Sequence, residues 1–130
     1  MKSSSPPHDR KAAQRRGGLA ERMAAWWLRL KFYRILVQGR KLRPGSGAGE
    51  VDLVVRRGNL VAFVEVKSRK TLAEAAQALK SAQRRRIERG AAAFLAQRPD
   101  LVGCNLRFDL ILLAPGHLPH HIPDAWRMDA

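Results

Sequence analysis

The stretch GEVDLVVRRGNLVAFVEVKSRK, Gly49 to Lys70, limits what this chain can become more than any other. Two runs rich in Val, Leu, Ala and Phe flank Gly58-Asn59, a pair that tolerates positive φ and suits a two-residue β-hairpin turn. Alternation along extended chain then sorts the side chains between faces. Asp52, Val54 and Arg56 share one face of the first strand, and Val51, Leu53 and Val55 share the other. In the second strand Val61, Phe63, Glu65 and Lys67 oppose Leu60, Ala62, Val64 and Val66. With that turn Arg57 faces Leu60, which puts Asp52 opposite Glu65 and Glu50 opposite Lys67.

Two carboxylates on directly paired residues, with Cβ atoms roughly 5 Å apart, repel. One must take up a proton, or both must turn to water or share a cation. Mg²⁺ fits such a pair, because it favours one or two carboxylates completed by waters and phosphate oxygens, and Mn²⁺ is an alternative ion. Lys67, on the same face, would then orient or deprotonate an attacking water or neutralise charge on a phosphate. The competing reading is a solvent-facing strand that simply carries charge on its wet side. Against it, Val54, Val61 and Phe63 share the charged face, and bases are abundant enough for Asp52 to have been paired with one.

That abundance bears on partners. The 130 residues carry 25 bases against 11 acids, a net charge of +14. The first sixteen, MKSSSPPHDRKAAQRR, hold five bases and one acid and read as a solvated, disordered basic tail (1–16). Residues 17–130, read as a single domain, keep 20 bases and 10 acids, so the folded body is itself basic and suited to nucleic acid. One cysteine, Cys104, excludes an internal disulfide and a cysteine zinc cluster. No apolar run reaches the length of a membrane span and no signal-peptide core is present, so a soluble cytoplasmic protein is expected.

Elsewhere the pattern is helical from Gly17 to about Tyr33, with Leu19, Met23, Trp26 and Leu30 at three- and four-residue steps and Arg15, Arg22 and Arg29 opposite. Ile35 to Val37 suggests a short strand, and RKLRPGSGAG a flexible loop. Thr71-Leu-Ala-Glu74 matches a capping box and opens a helical region to about Gln97, weakened at Gly90. Its inner face reads as Leu79, Ile87, Phe94 and Leu95. Its outer face, Lys80, Arg84, Arg85, Arg86 and Arg89, offers phosphate contacts. NLRFDLILLA, Asn105 to Ala114, is a strong strand, and the remainder is expected to end in a short strand and a helical turn. The three tryptophans read as core. His117, His120, His121 and Asp124 sit among three prolines and read as solvated or packed rather than as a metal site, and Asp109 reads either as orienting a group near the sheet or as a strand acid pairing with Arg107 or a helix end. The order α-β-β-β-α-β predicts an α/β fold, a mixed central sheet of four or five strands flanked by helices.

Asp52 followed by Glu65-Val-Lys67 resembles the PD-(D/E)XK nucleases, the restriction-endonuclease-like superfamily. Gly17-x-x-x-Glu21, Ala24, Trp27-Leu28, GEVDLV, FVEVKSR, RFDLI and IPDAW together resemble, more closely, the YraN-like uncharacterised bacterial family of predicted endonucleases. That resemblance spans about Gly17 to Trp126. It implies a restriction-endonuclease-like core, Asp52 and Glu65 as metal ligands, Lys67 as the catalytic lysine, and Glu21 as a further acid aimed at the metal. Glu50 and Asp109 enter as supporting residues. Where the family suggests a Lys-Gln pair on the second helix, this chain has Gln83-Arg84, and both become candidates for phosphate contact. The implied function is a Mg²⁺-dependent endonuclease on DNA, with branched or junction DNA a substrate that a homodimer would suit. A non-catalytic nucleic-acid-binding module on the same fold is the alternative, and a protein-interaction domain using the basic face is a third reading.

Overall fold

A computed structural model describes residues 7–41 and 50–128, with side chains described for 18–39 and 51–128. Its elements are α1 (Pro7–Leu30), β1 (Arg34–Lys41), β2 (Glu50–Arg57), β3 (Leu60–Ser68), α2 (Leu72–Ala76), α3 (Ser81–Ala96), a 3-10 turn at Pro99–Leu101, β4 (Asn105–Leu113) and β5 (His120–Trp126). The strands form a five-stranded mixed sheet in the order β1-β2-β3-β4-β5. Neighbours are antiparallel except β3 and β4, which are parallel and therefore need the crossover that α2 and α3 supply. The glycine-rich stretch 42–49 lies outside the described residues, as do 1–6 and 129–130.

The β2–β3 hairpin keeps the expected register from Arg57↔Leu60 to Leu53↔Val64. Of the two turn residues Gly58 takes a positive φ, +60°, and Asn59 does not, the pattern of a turn with glycine in its first central position. Beyond Leu53 the ladder stops. The next bond would join the Val66 amide to the Val51 carbonyl, but that amide donates instead to Asp52 Oδ2 at 2.8 Å. Asp52 and Glu65 are therefore not a regular cross-strand pair, and neither are Glu50 and Lys67. Glu50 pairs in the sheet with Lys41 of β1.

Each sheet face has its own cover. Leu53, Val55, Ala62, Val64, Ile111 and Leu113 pack beneath Ala20, Ala24, Ala25 and Leu28 of α1 and Tyr33 just after it. The opposite face, with Val54, Val61, Phe63, Phe108, Leu110 and Leu112, packs against Ala75, Leu79, Ile87, Ala91 and Phe94 of the crossover. Phe63 meets Phe94 edge-on, and Phe108 stacks on Trp126, whose Nε1 donates to Glu88 of α3 at 3.0 Å. These contacts fix α3 over the face that carries Glu65.

Several expectations change. The helix begins at Pro7 rather than Gly17 and takes in residues 7–16 of the stretch read as a tail. Its stripe of large apolar residues faces outward: Leu19, Met23, Trp26 and Leu30 are exposed, because small alanines let the backbone approach the sheet more closely. Trp26 is thus not core, whereas Trp126 is. The second helical region breaks at 77–80, where Leu79 drops into the core, and Gly90 sits buried inside an unbroken α3. Its start is as expected, with Thr71 Oγ1 accepting the Glu74 amide at 3.1 Å. Cys104 lies just before β4, half-buried, with Sγ directed at Asn59 Oδ1. The edge strand β5 carries Pro123, whose missing N–H an edge tolerates. No helical turn follows β5 among the described residues.

Candidate active site

Strand alternation puts Glu65 and Lys67 on the α3 side of β3, two residues apart. Both are buried, at 5% and 9% exposure, which the solvent-face reading did not allow. Lys67 Nζ lies 3.0 Å from Glu65 Oε2, and Gln83 Nε2 of α3 donates to the same oxygen at 2.8 Å. Asp52, half-buried at the point where β2 leaves the ladder, is aimed by the Val66 amide. Asp52, Glu65, Gln83, Arg86 and Ile87 line a cleft of about 150 Å³.

The Glu65 carboxyl is pushed up to about 8. Burial is the main cause and the charge of Asp52 adds to it, while the Lys67 ammonium pulls the other way without offsetting them. Asp52 and Glu65 are within hydrogen-bonding reach of one another. Without a cation, then, the pair retains a proton at neutral pH. This bears directly on whether a metal fits. A site whose acids hold a proton because burial and mutual repulsion disfavour a second charge offers a divalent ion oxygen ligands at the proton's expense. Two carboxylates also suit Mg²⁺, which keeps several waters.

Glu21 comes from the other side of the sheet. It lies on the half-buried flank of α1, with Oε2 3.2 Å from where a Cβ on Gly39 would stand. The pairs Gln38↔Leu53 and Arg40↔Val51 place Gly39 opposite Asp52, so Glu21 leans over the strand position beside Asp52. Gly39 adopts φ +65°, which glycine takes at no steric cost, and its missing side chain leaves room for the carboxylate. Among the described residues no group of three or more His, Cys, Asp or Glu is placed to hold a metal ion.

Lys80, the N-cap of α3, and Arg84, Arg85 and Arg86 within the helix are exposed, and Arg86 reaches the cleft. Arg84 lies over the Trp126 ring at 5.9 Å. Gln83, expected to face phosphate, instead holds Glu65. A signal for this existed, since Gln83 stands four residues before Ile87 on the buried helical face.

Asp109 belongs elsewhere. Its partner Val64 lies on the α1 face, so Asp109 is on the side of the sheet away from Glu65. It is fully buried, and it accepts Arg107 Nε and Nη2 at 2.7 Å, His121 Nε2 at 2.8 Å and the Asp124 amide at 3.0 Å. Burial alone would raise its carboxyl, but these hydrogen bonds outweigh it and hold the group below the usual range. Lys31 Nζ approaches His121 Nδ1 at 3.2 Å. An ammonium can only donate, so His121 carries its hydrogen on Nε2, toward Asp109. The expected Arg107 pairing is present. The His121 contact had no signal, being set by how β5 docks on β4. The side chain of Glu50 lies outside those described.

Residues 20–113 match the model of "Uncharacterised protein family UPF0102". A UPF0102 protein of Paramagnetospirillum magneticum is 64% identical over 129 residues, covering 99% of this chain and 100% of the relative. One from Bartonella quintana is 47% identical over 114 residues, covering 88% and 90%. One from Caulobacter vibrioides is 45% identical over 115 residues, covering 88% and 89%.

Proposed function

The chain belongs to the uncharacterised protein family UPF0102, the YraN-like family its motifs resemble, and from that premise we propose that it is a divalent-metal-dependent endonuclease acting on DNA. One observation carries the reading: a buried carboxyl, Glu65, is held against a second acid with a buried ammonium 3.0 Å away, in a cleft edged by Arg86. A purely structural ion pair would need neither the second acid nor the opening.

Asp52 and Glu65 are the residues that would hold Mg²⁺ or Mn²⁺. The ion would polarise a phosphodiester and lower the pKa of a bound water. Asp52 is oriented by the Val66 amide and Glu65 by Gln83, so neither must reorganise on binding. The Lys67 ammonium stands 3.0 Å from Glu65 Oε2, from where it would donate to the attacking water or to the phosphate oxygens as charge accumulates on them. Arg86 at the rim, with Lys80, Arg84 and Arg85 on the exposed flank of α3, grips the backbone of the nucleic acid. Glu21, leaning toward Asp52, adds negative charge at the site's edge. The resemblance to PD-(D/E)XK nucleases supports the same assignment.

The test is incubation with linear, flapped and four-way-junction DNA in Mg²⁺, Mn²⁺ or chelator. Metal-dependent cleavage is expected from the wild type and from Glu74→Ala, but not from Asp52→Ala or Lys67→Ala. Salt-sensitive binding without cleavage under either metal would leave the non-catalytic binding module as the better reading.

A further inference from the structure

The opposite end of the sheet carries a basic pocket that the cleavage reading does not use. Arg57 stands five residues beyond Asp52 along β2, about 17 Å at strand rise. There Phe32, Arg34, Arg56, Arg57 and Gly58 surround a cavity of about 420 Å³. Arg57 stacks its guanidinium on Tyr33 at 4.2 Å and donates Nη1 to the Lys31 carbonyl, and Arg56 donates Nε to Gly58 O at 2.9 Å. Each guanidinium carries five N–H donors, so these anchors use a fraction of the capacity and leave the rest for an anion.

Phe32 is the residue that needs explaining. Tyr33 N bonds Leu28 O and Phe32 N bonds Arg29 O, so α1 ends in a Schellman turn with Phe32 at its left-handed position, φ +71°. Glycine or asparagine fills that place without the steric penalty a phenylalanine meets. Phe32 is also 86% exposed, so its ring contributes almost nothing to the core. The fold gains from neither the backbone conformation nor the side chain. An aromatic face displayed beside three guanidinium groups is the combination that holds an unstacked base and its phosphates.

We infer that Phe32, Arg34, Arg56 and Arg57 form a second nucleic-acid contact, in which an unpaired base stacks on Phe32 and the flanking phosphates meet the arginines. The inference rests on the nucleic-acid partner of the proposed function but not on its chemistry. Flapped and junction substrates present unpaired or splayed nucleotides, and a contact remote from the cleft would select them over plain duplex.

The test is fluorescence anisotropy with a labelled oligothymidylate and a duplex of equal length, in chelator so that nothing is cut. Phe32→Gly should weaken single-strand binding roughly tenfold, leave its salt slope and duplex binding unchanged, and not lower the thermal midpoint. Phe32→Asn, also at ease in the left-handed region, should behave alike. Arg34→Ala should instead reduce the salt slope by about one. Unaltered single-strand affinity in both Phe32 variants overturns the inference and leaves the proposed function standing. So does a fall in thermal midpoint in both, which makes the ring structural, or a change in sedimenting mass, which assigns it to contact between copies. If the wild type binds no DNA at all, the proposed function loses its partner and this site falls with it.

Discussion

Replacing Glu65 by Gln measures the energetic cost of ionising a carboxyl that is buried and set beside a second acid. The amide occupies the space of the neutral carboxyl, can still meet Gln83 and Lys67, and cannot ionise. In the metal-free wild type this carboxyl shifts from 4.5 to about 8 on folding. A carboxyl raised on folding adds stability that is fully present below its unfolded value and is lost as pH rises through the folded one. The window is therefore about 4.5 to 8, and at 1.36 kcal/mol per pH unit the full loss is on the order of 5 kcal/mol. Between pH 5.5 and 8.5 the wild type should lose roughly 3 kcal/mol relative to Glu65→Gln. Urea unfolding in chelator, followed by tryptophan fluorescence, measures the difference at each pH, and buried Trp126 gives the signal. Magnesium should flatten the wild-type curve, because the ion replaces the proton, and leave the variant's curve unmoved. A stability difference constant across that range would refute the reasoning, since it would mean that Glu65 is ionised throughout and neither burial nor Asp52 imposes a cost on it.

Asp109→Asn should lower stability by about 3 kcal/mol or more by urea unfolding, because it strands the Arg107 guanidinium that the buried carboxylate now neutralises. In the wild type the same carboxyl is depressed on folding, so its contribution is present above the unfolded value and disappears as pH falls through the folded one; an acid titration followed by circular dichroism should show this, with Asp109→Asn lacking the step. Gly39→Ala forces a side chain into φ +65° and against Glu21 Oε2, so about 1 kcal/mol of stability should be lost. Isothermal titration with Mg²⁺ should also show weakened binding in that variant, and unchanged binding would separate Glu21 from the metal site.

The pieces of this protein that depend on neighbours in the chain were legible without coordinates. Period-two alternation placed Glu65 and Lys67 on one face, and Gly58-Asn59 set the hairpin register. The capping box opened α2, and the apolar run 105–114 became β4. Such features follow from backbone geometry within a few residues, which sequence states directly. Packing between distant segments decided the rest. The β2–β3 ladder ends at Leu53, and Asp52 answers the Val66 amide instead of facing Glu65 in register. Both stripes of α1 have helical spacing, and closeness of approach rather than hydrophobicity turned Ala20, Ala24 and Leu28 inward and left Trp26 in solvent. Gln83 meets Glu65 across 18 positions of sequence, and His121 meets Asp109 only because β5 lies beside β4. The acids and the lysine were written in the chain; the burial that makes Glu65 hold its proton, and so gives the group its chemistry, exists only once α3 closes over the sheet.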